Sequence, residues 1–324
     1  MSNQVVITPD ALAASAKKYR KDLLMMPVIG LESSINHMTL RTGIRGEEVV
    51  GELDGTIEVG PYSESRTDTD DVTIKGRTLT TYRGSVIKKF SPNSVADSIY
   101  GSAVLSGEGL KSTDITLKVV AFLAKKVSKA FNKSLWGAVR NAGGSTTTDL
   151  YNGFDTITAT EITANNITVA KGNRYDFDAA ITSSNAVDKL KKFYTSATDE
   201  LQGENCKMFV SKAIYNAYND DYQQLNGALP YNKEFKKTYL EGSDDMCELV
   251  PLPNKKTSPY IHLTTKANML IGVDQMSQEE TITVEKHHPL ILDFVMVMYF
   301  GTQFESISSE RLLVGKLYVA PVTP

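Results

Sequence analysis

Four histidines, two cysteines and a cluster of aspartates are the side chains best suited to chemistry in this chain, and their spacing decides which chemistry is open to them. His37, His262, His287 and His288 form neither an HExxH nor an HxxxH pair, so no helix face offers two imidazoles to a metal. His287 and His288 stand before Pro289 and read as a turn between two strands. Cys206 and Cys247 are too few and too isolated for a disulfide framework or a four-ligand zinc site, and read as free thiols. Asp68, Asp70 and Asp71 invite a calcium loop, but Thr73 falls where the sharp-turn glycine is needed and Leu79 where the bidentate glutamate is needed. Gly107-Glu108-Gly109-Leu110-Lys111-Ser112 has the texture of a phosphate cradle, yet Leu110 replaces the glycine that must precede Lys-Ser for backbone N–H groups to wrap an anion. It reads as a loop before a helix cap. No GxSxG elbow or Cys-His signature occurs. The expectation is a non-enzymatic protein with no catalytic, cofactor or metal site.

The 324 residues carry 41% apolar and 23% charged side chains, enough to bury a sizeable core and too ordered a composition for a disordered or collagen-like chain. The length suits one large unit or two modest ones. A net charge of -3 gives no bulk attraction to nucleic acid. The longest nearly apolar run, Leu290 to Phe300, is interrupted by Asp293 and falls short of the roughly 20 residues that span a bilayer, so no membrane partner is expected. Met1-Ser2-Asn3-Gln4 begins no basic-then-apolar signal, and a cytoplasmic site of synthesis is expected.

Charge is distributed unevenly. From Gly46 to Val72, Glu47, Glu48, Glu52, Asp54, Glu58, Glu64, Asp68, Asp70 and Asp71 face only Arg66, about -8 in all; from Thr73 to Lys89, Lys75, Arg77, Arg83, Lys88 and Lys89 meet no acid, about +5. Both stretches are rich in Thr, Val, Ile and Tyr and poor in large apolar residues, which predicts a long two-stranded ribbon projecting from a body. Its charges either cancel between the two strands or also pair with oppositely charged neighbours in an assembly.

Helical signals bracket the ribbon. Thr8-Pro9-Asp10 begins a short N-terminal helix with Leu12, Ala16, Tyr19 and Leu23 at helical spacing. A much longer helix is predicted from about Thr113 to Asn141, roughly 40 Å. Val119, Val120, Leu123, Val127, Ala130, Phe131, Leu135 and Ala138 share one side of it; Lys118, Lys125, Lys126, Lys129, Lys133 and Arg140 share another, with Phe122 and Trp136 among them. Beyond a polar link, helices are predicted from Ser184 to Gly203 and after the cap Ser211, with strands at Cys206–Val210, Tyr260–Thr264, Asn268–Val273, Thr281–Lys286, Leu290–Phe304 and Leu312–Val319. Strands and helices do not alternate regularly, which favours α+β over a doubly wound sheet.

This order of arm, charged ribbon, very long helix, mixed body and terminal strands resembles the major capsid protein of tailed phages, the Hong Kong 97-type shell protein. Thr80-Thr81-Tyr82-Arg83-Gly84-Ser85-Val86-Ile87-Lys88-Lys89-Phe90 and Leu150-Tyr151-Asn152-Gly153-Phe154-Asp155-Thr156-Ile157 are similar to segments of capsid proteins from phages infecting Bacteroidetes. The resemblance implies an N-arm at residues 1–45, an extended β-hairpin E-loop at 46–92, a P-domain with the spine helix at 93–149, an A-domain at 150–274 and P-domain strands at 275–324. It implies self-assembly into pentamers and hexamers of an icosahedral virion shell in the bacterial cytoplasm, enclosing double-stranded DNA by weak contacts. Scaffold, portal and decoration or head-completion proteins are further implied partners; since the E-loop begins within about 45 residues, the scaffold is separate or already cleaved away. The implied assembly residues of the E-loop are Glu58, Glu64, Asp70, Asp71, Lys75, Arg77, Arg83, Lys88 and Lys89. The family's spine helix lies toward the interior, so Lys118, Lys125, Lys129 and Lys133 either look toward DNA or form a solvated or intersubunit face. No lysine–asparagine cross-linking pair is identified.

Three other readings compete. An encapsulin nanocompartment shares the fold but encloses enzymes, and the acidic ribbon disfavours it. A nucleotide-binding enzyme would use Gly107 to Ser112, and a monomeric binding module would use Tyr215, Tyr218 and Tyr222.

Overall fold

A computed structural model describes residues 32–55, 62, 72–90, 112–227, 238–274, 282–288 and 291–319. The N-terminal helix expected after Thr8, the loop from Gly107 to Lys111, and Glu58, Glu64, Asp70 and Asp71 lie outside the described residues. In chain order the elements are α1 (Glu32–Ile35), β1 (Thr39–Thr42), β2 (Glu47–Gly55), β3 (Val72–Thr80), β4 (Tyr82–Phe90), α2 (Ser112–Ser134), α3 (Phe154–Thr163), β5 (Arg174–Asp176), α4 (Ala186–Thr195), α5 (Asp199–Gln202), β6 (Cys206–Ser211), α6 (Lys212–Asn226), β7 (Cys247–Leu252), β8 (Tyr260–Thr265), β9 (Met269–Val273), β10 (Ile282–His288), β11 (Ile291–Phe304) and β12 (Leu312–Lys316).

Two five-stranded sheets organise the body. The first has the order β1-β9-β11-β10, with β4 also paired to β11; the second runs β5-β12-β8-β6-β7. Along β11, Met296, Met298 and Phe300 are buried while Val295, Val297 and Tyr299 are half-buried, the alternation of a strand with one face on a core. Phe300 meets Phe131 of α2 at 4.5 Å between ring centroids and Tyr151 edge-on at 4.7 Å. The second sheet packs β6 and β8 against α4 and α6 through Phe193, Leu190, Tyr218, Met208 and Leu263. Ser211 accepts a hydrogen bond from the Ile214 N–H at the start of α6, as its place before the apolar repeat predicts.

Sheet membership crosses the segment bounds expected from the sequence. β9 falls within residues 150–274 but joins the first sheet beside β11, and β12 falls within 275–324 but completes the second. His287 and His288 are the last residues of β10 rather than a turn, with an irregular register between Lys286 and His288 against β11.

The long helix is also shorter than its periodicity predicts. It ends at Ser134 because its last turn is taken over by tertiary partners: the Ser134 hydroxyl bonds the Tyr151 hydroxyl at 2.8 Å and donates to the Phe131 carbonyl at 3.1 Å. The carbonyls of Leu135, Trp136 and Ala138 accept from the N–H groups of Phe154, Asp155 and Gly153, so the start of α3 satisfies the acceptors just past α2. Only glycine fits at 153, since a Cβ there would stand 2.3 Å from the Trp136 carbonyl oxygen. Trp136 is consequently buried in the core, and Arg140 leaves the lysine face to stack on Tyr82 at 4.5 Å.

Candidate assembly surfaces

The ribbon begins as the alternating β2 and β3, whose nine-residue strands pair only with each other among the described strands. Its root is fixed on one face. Val50 and Leu79 are buried in a small cluster with Ile44 and Leu270. Beside them Arg77 donates to Glu161 of α3 at 2.6 Å and to Gln303 of β11 at 3.1 Å. Thr81 closes the root, its hydroxyl donating to the Ile44 carbonyl and accepting from the Gly46 N–H, both at 3.0 Å. Gly301 lets this junction lie flat on β11, because a Cβ there would meet the Thr80 carbonyl at 2.1 Å. Farther out, Lys75 is exposed and Tyr62, beyond the end of β2, is 91% exposed.

Glu47, Glu48 and Asp54 stand opposite Thr80, Leu79 and Thr73, and of the four acids on β2 only Glu52 faces a cation, Lys75. The expected ribbon also divides. Residues 82–90 do not return along it; they pair antiparallel with β11 from Tyr82–Phe300 to Phe90–Leu292. Tyr82 and Val86 pack against the main core, which gives β4 a burial reward that a free ribbon lacks. Arg83, Lys88 and Lys89 are therefore exposed on the body, with Lys89 in register opposite Asp293.

A groove of about 980 Å³ separates β4 from α2. Its cationic lining is Arg83, Lys88, Lys126 and Arg140, and its apolar lining includes Ile87 and Phe122, which are 63% and 57% exposed. Lys125, Lys126, Lys129 and Lys133 are all exposed on α2, and the Lys126 ammonium lies 5.3 Å from the Phe122 ring centroid. Leu123, Val127 and Phe131 pack on the core as predicted. Lys118 belongs to the helix, but its side chain lies outside the described ones.

A polar hub missed by sequence reasoning joins the second sheet to α3 and α2. Lys255 is fully buried, and its ammonium meets Ser258 at 2.8 Å, His262 Nδ1 at 3.1 Å, Asp155 at 3.3 Å and the Trp136 ring at 3.7 Å. Burial pulls the Lys255 ammonium down to about 8, against the opposing attraction of Asp155. Burial, reinforced by Lys255, holds His262 well below its usual range, and its Nε2 is hydrogen-bonded to Thr158 at 2.9 Å. The adjacent Asn254 ties this hub to α2 through the carbonyl of Asn132 at 2.7 Å. A lysine in a Pro-Asn-Lys-Lys turn carries no sequence signal that separates it from a solvated one.

The tyrosines of α6 are packing residues. Tyr218 is buried and its hydroxyl accepts from the Glu241 N–H at 2.9 Å, while Tyr215 bonds Thr238 at 2.7 Å. No His, Cys, Asp or Glu cluster suited to a metal occurs among the described residues.

No family model and no curated protein matches the sequence. Solved structures do. The chain is similar to the capsid of an empty GTA particle at 12% identity and a TM-score of 0.58, over 89% of this chain and 90% of that one. It is similar to the cyanophage A-1(L) capsid at 17% identity and a TM-score of 0.55, covering 90% and 92%. A subunit of the holo-SrpI encapsulin complex from Synechococcus elongatus PCC 7942 follows at 10% identity and a TM-score of 0.50, covering 87% and 85%. The chain thus has the α+β Hong Kong 97-type shell fold.

Proposed function

We propose that this protein is the major capsid protein of a tailed phage, a structural subunit rather than an enzyme, which assembles through pentamers and hexamers into the icosahedral shell around double-stranded DNA. The observation that carries the reading is the ribbon: within the shell fold, β2 and β3 are tied down at Arg77 and Leu79 yet have no strand partner beyond each other among the described residues. An isolated two-stranded ribbon is marginal in water, so it is built to lie on something else. The acidic stretch of one copy suits the cationic wall of Arg83, Lys88 and Lys126 on the next. Each exposed pair contributes only about 0–1 kcal/mol, and closure multiplies it across the shell.

The lysine face of α2 is assigned to the lumen, where weak, salt-screened contacts with DNA leave the genome movable. Scaffold, portal and decoration proteins complete the partner set, with assembly in the bacterial cytoplasm and the virion as destination. The segments at residues 80–90 and 150–157 support a phage of Bacteroidetes. The encapsulin structure shares this fold, so the contents of the shell discriminate. Electron microscopy of particles from infected lysate should show closed shells built from this chain and filled with DNA. A chain that stays monomeric beside its scaffold, or shells packed with protein cargo, would overturn the assignment.

A further inference from the structure

We propose that Cys206 and Cys247 are a modification site, a dithiol that closes to a disulfide and staples β7 to β6. They are the two cysteines of the 324-residue chain, 41 positions apart in sequence, and the fold places them in register on adjacent parallel strands. Neighbouring strands lie about 4.8 Å apart, within the roughly 4.4–6.8 Å between Cα atoms that a disulfide spans. In-register residues of adjacent parallel strands project to the same face of the sheet, so the two thiols share one side of it. β7 ends the strand order of the second sheet, and among the described residues a single bridge, from Tyr239 to Glu248, lies on its outer side. The bond would therefore lock the sheet's last strand and close a loop that contains α6.

The environment makes the pair unequal. The hydrogen bond from Cys247 holds the Cys206 thiol below its usual range, whereas burial drives Cys247 well above it. Cys206 is thus the nucleophile and Cys247 the proton-bearing resolving thiol. With hydrogen peroxide as oxidant, the Cys206 thiolate attacks one oxygen, the O–O bond breaks, and the departing hydroxide takes a proton to become water, leaving a sulfenic acid. The Cys247 sulfur then attacks the Cys206 sulfur, the S–O bond breaks, and the hydroxyl leaves with the Cys247 proton as a second water. Two thiols lose two electrons in total and one peroxide gains them. Both cysteines are buried, which shields them from a second protein's thiol.

Hydrogen peroxide applied to the intact purified protein is the test. Denatured thiol titration should fall from two per chain to none, and a non-reducing peptide map should join the peptides bearing Cys206 and Cys247. The melting midpoint should rise by roughly 5 °C, reversibly with dithiothreitol. Cys247→Ala and Cys206→Ala should each give no linked peptide and no rise that dithiothreitol reverses. Two persistent thiols in the peroxide-treated wild type would overturn the proposal, as would a chain-to-chain disulfide or sulfinic acid without the linked peptide. The wild-type measurements need no variant to fold.

Discussion

The Arg77 guanidinium of β3 donates to the Glu161 carboxylate of α3 at 2.6 Å, with both side chains about five-sixths withdrawn from solvent. Arg77 was expected to serve a neighbouring subunit. Its geometry gives it a nearer task, holding the ribbon's root at a set angle on its own body. Arg77→Ala should cost about 2 kcal/mol by leaving the acid without its charged donor. It should also raise protease cleavage between residues 47 and 80 while β4 stays protected. Unchanged cleavage would remove the anchoring role.

Arg83 and Lys88 lie on β4, whose backbone is held along β11, so their charges can be altered without touching a buried partner. Arg83→Glu with Lys88→Glu should leave the stability of the subunit within about 0.5 kcal/mol of wild type. Shell closure, followed by light scattering with scaffold present, should fail. Normal particles from this double variant would remove charge complementarity from the proposed contact.

Lys125, Lys129 and Lys133 stand one to two turns apart on the exposed side of α2. Changing all three to Gln should leave folding intact. It should flatten the dependence of log affinity for duplex DNA on log salt by about 0.9 for each cation that had met a phosphate. An identical slope would place these lysines away from the genome.

The Lys255 hub predicts both a size and a sign. Lys255→Met leaves Asp155 buried without its cation and should destabilise the protein by roughly 3–5 kcal/mol. In the wild type the folded-state value, about 8, lies below the ordinary 10.5. Between these values the unfolded chain still holds a proton that the folded chain has lost, so this group makes stability rise with pH across that window. Below about pH 8 both states are protonated and its contribution is flat and unfavourable. Urea midpoints of wild type and Lys255→Met should therefore diverge as pH climbs from 8 toward 10.5. Parallel midpoints would mean that Lys255 keeps its proton throughout.

Much of the architecture was legible in the residues. Val127 and Phe131 at helical spacing gave the core face of α2, Ser211 gave the start of α6, and the apolar run before Phe304 gave β11. These follow from local rules, since a period of 3.6 or 2 selects the element and a hydroxyl before an apolar repeat marks its start. The charge reversal after Val72 falls at the start of β3.

What the sequence by itself determined is the inventory of elements and the uneven placement of charge, since both are set by neighbours along the chain. Tertiary structure alone decided which partner each element takes. Residues 82–90 would suit a free ribbon as well as a sheet, and only the core under Tyr82 and Val86 assigns them to β11. The helix could continue past Ser134 by periodicity, but the N–H groups of α3 compete for the carbonyls there. Arg77 with Glu161, Lys255 with Asp155, and Cys206 with Cys247 are separated by 84, 100 and 41 positions, so no local spacing encodes them. Their meeting is a consequence of long-range packing, in which burial of apolar faces brings distant polar groups together and leaves them only one another as partners.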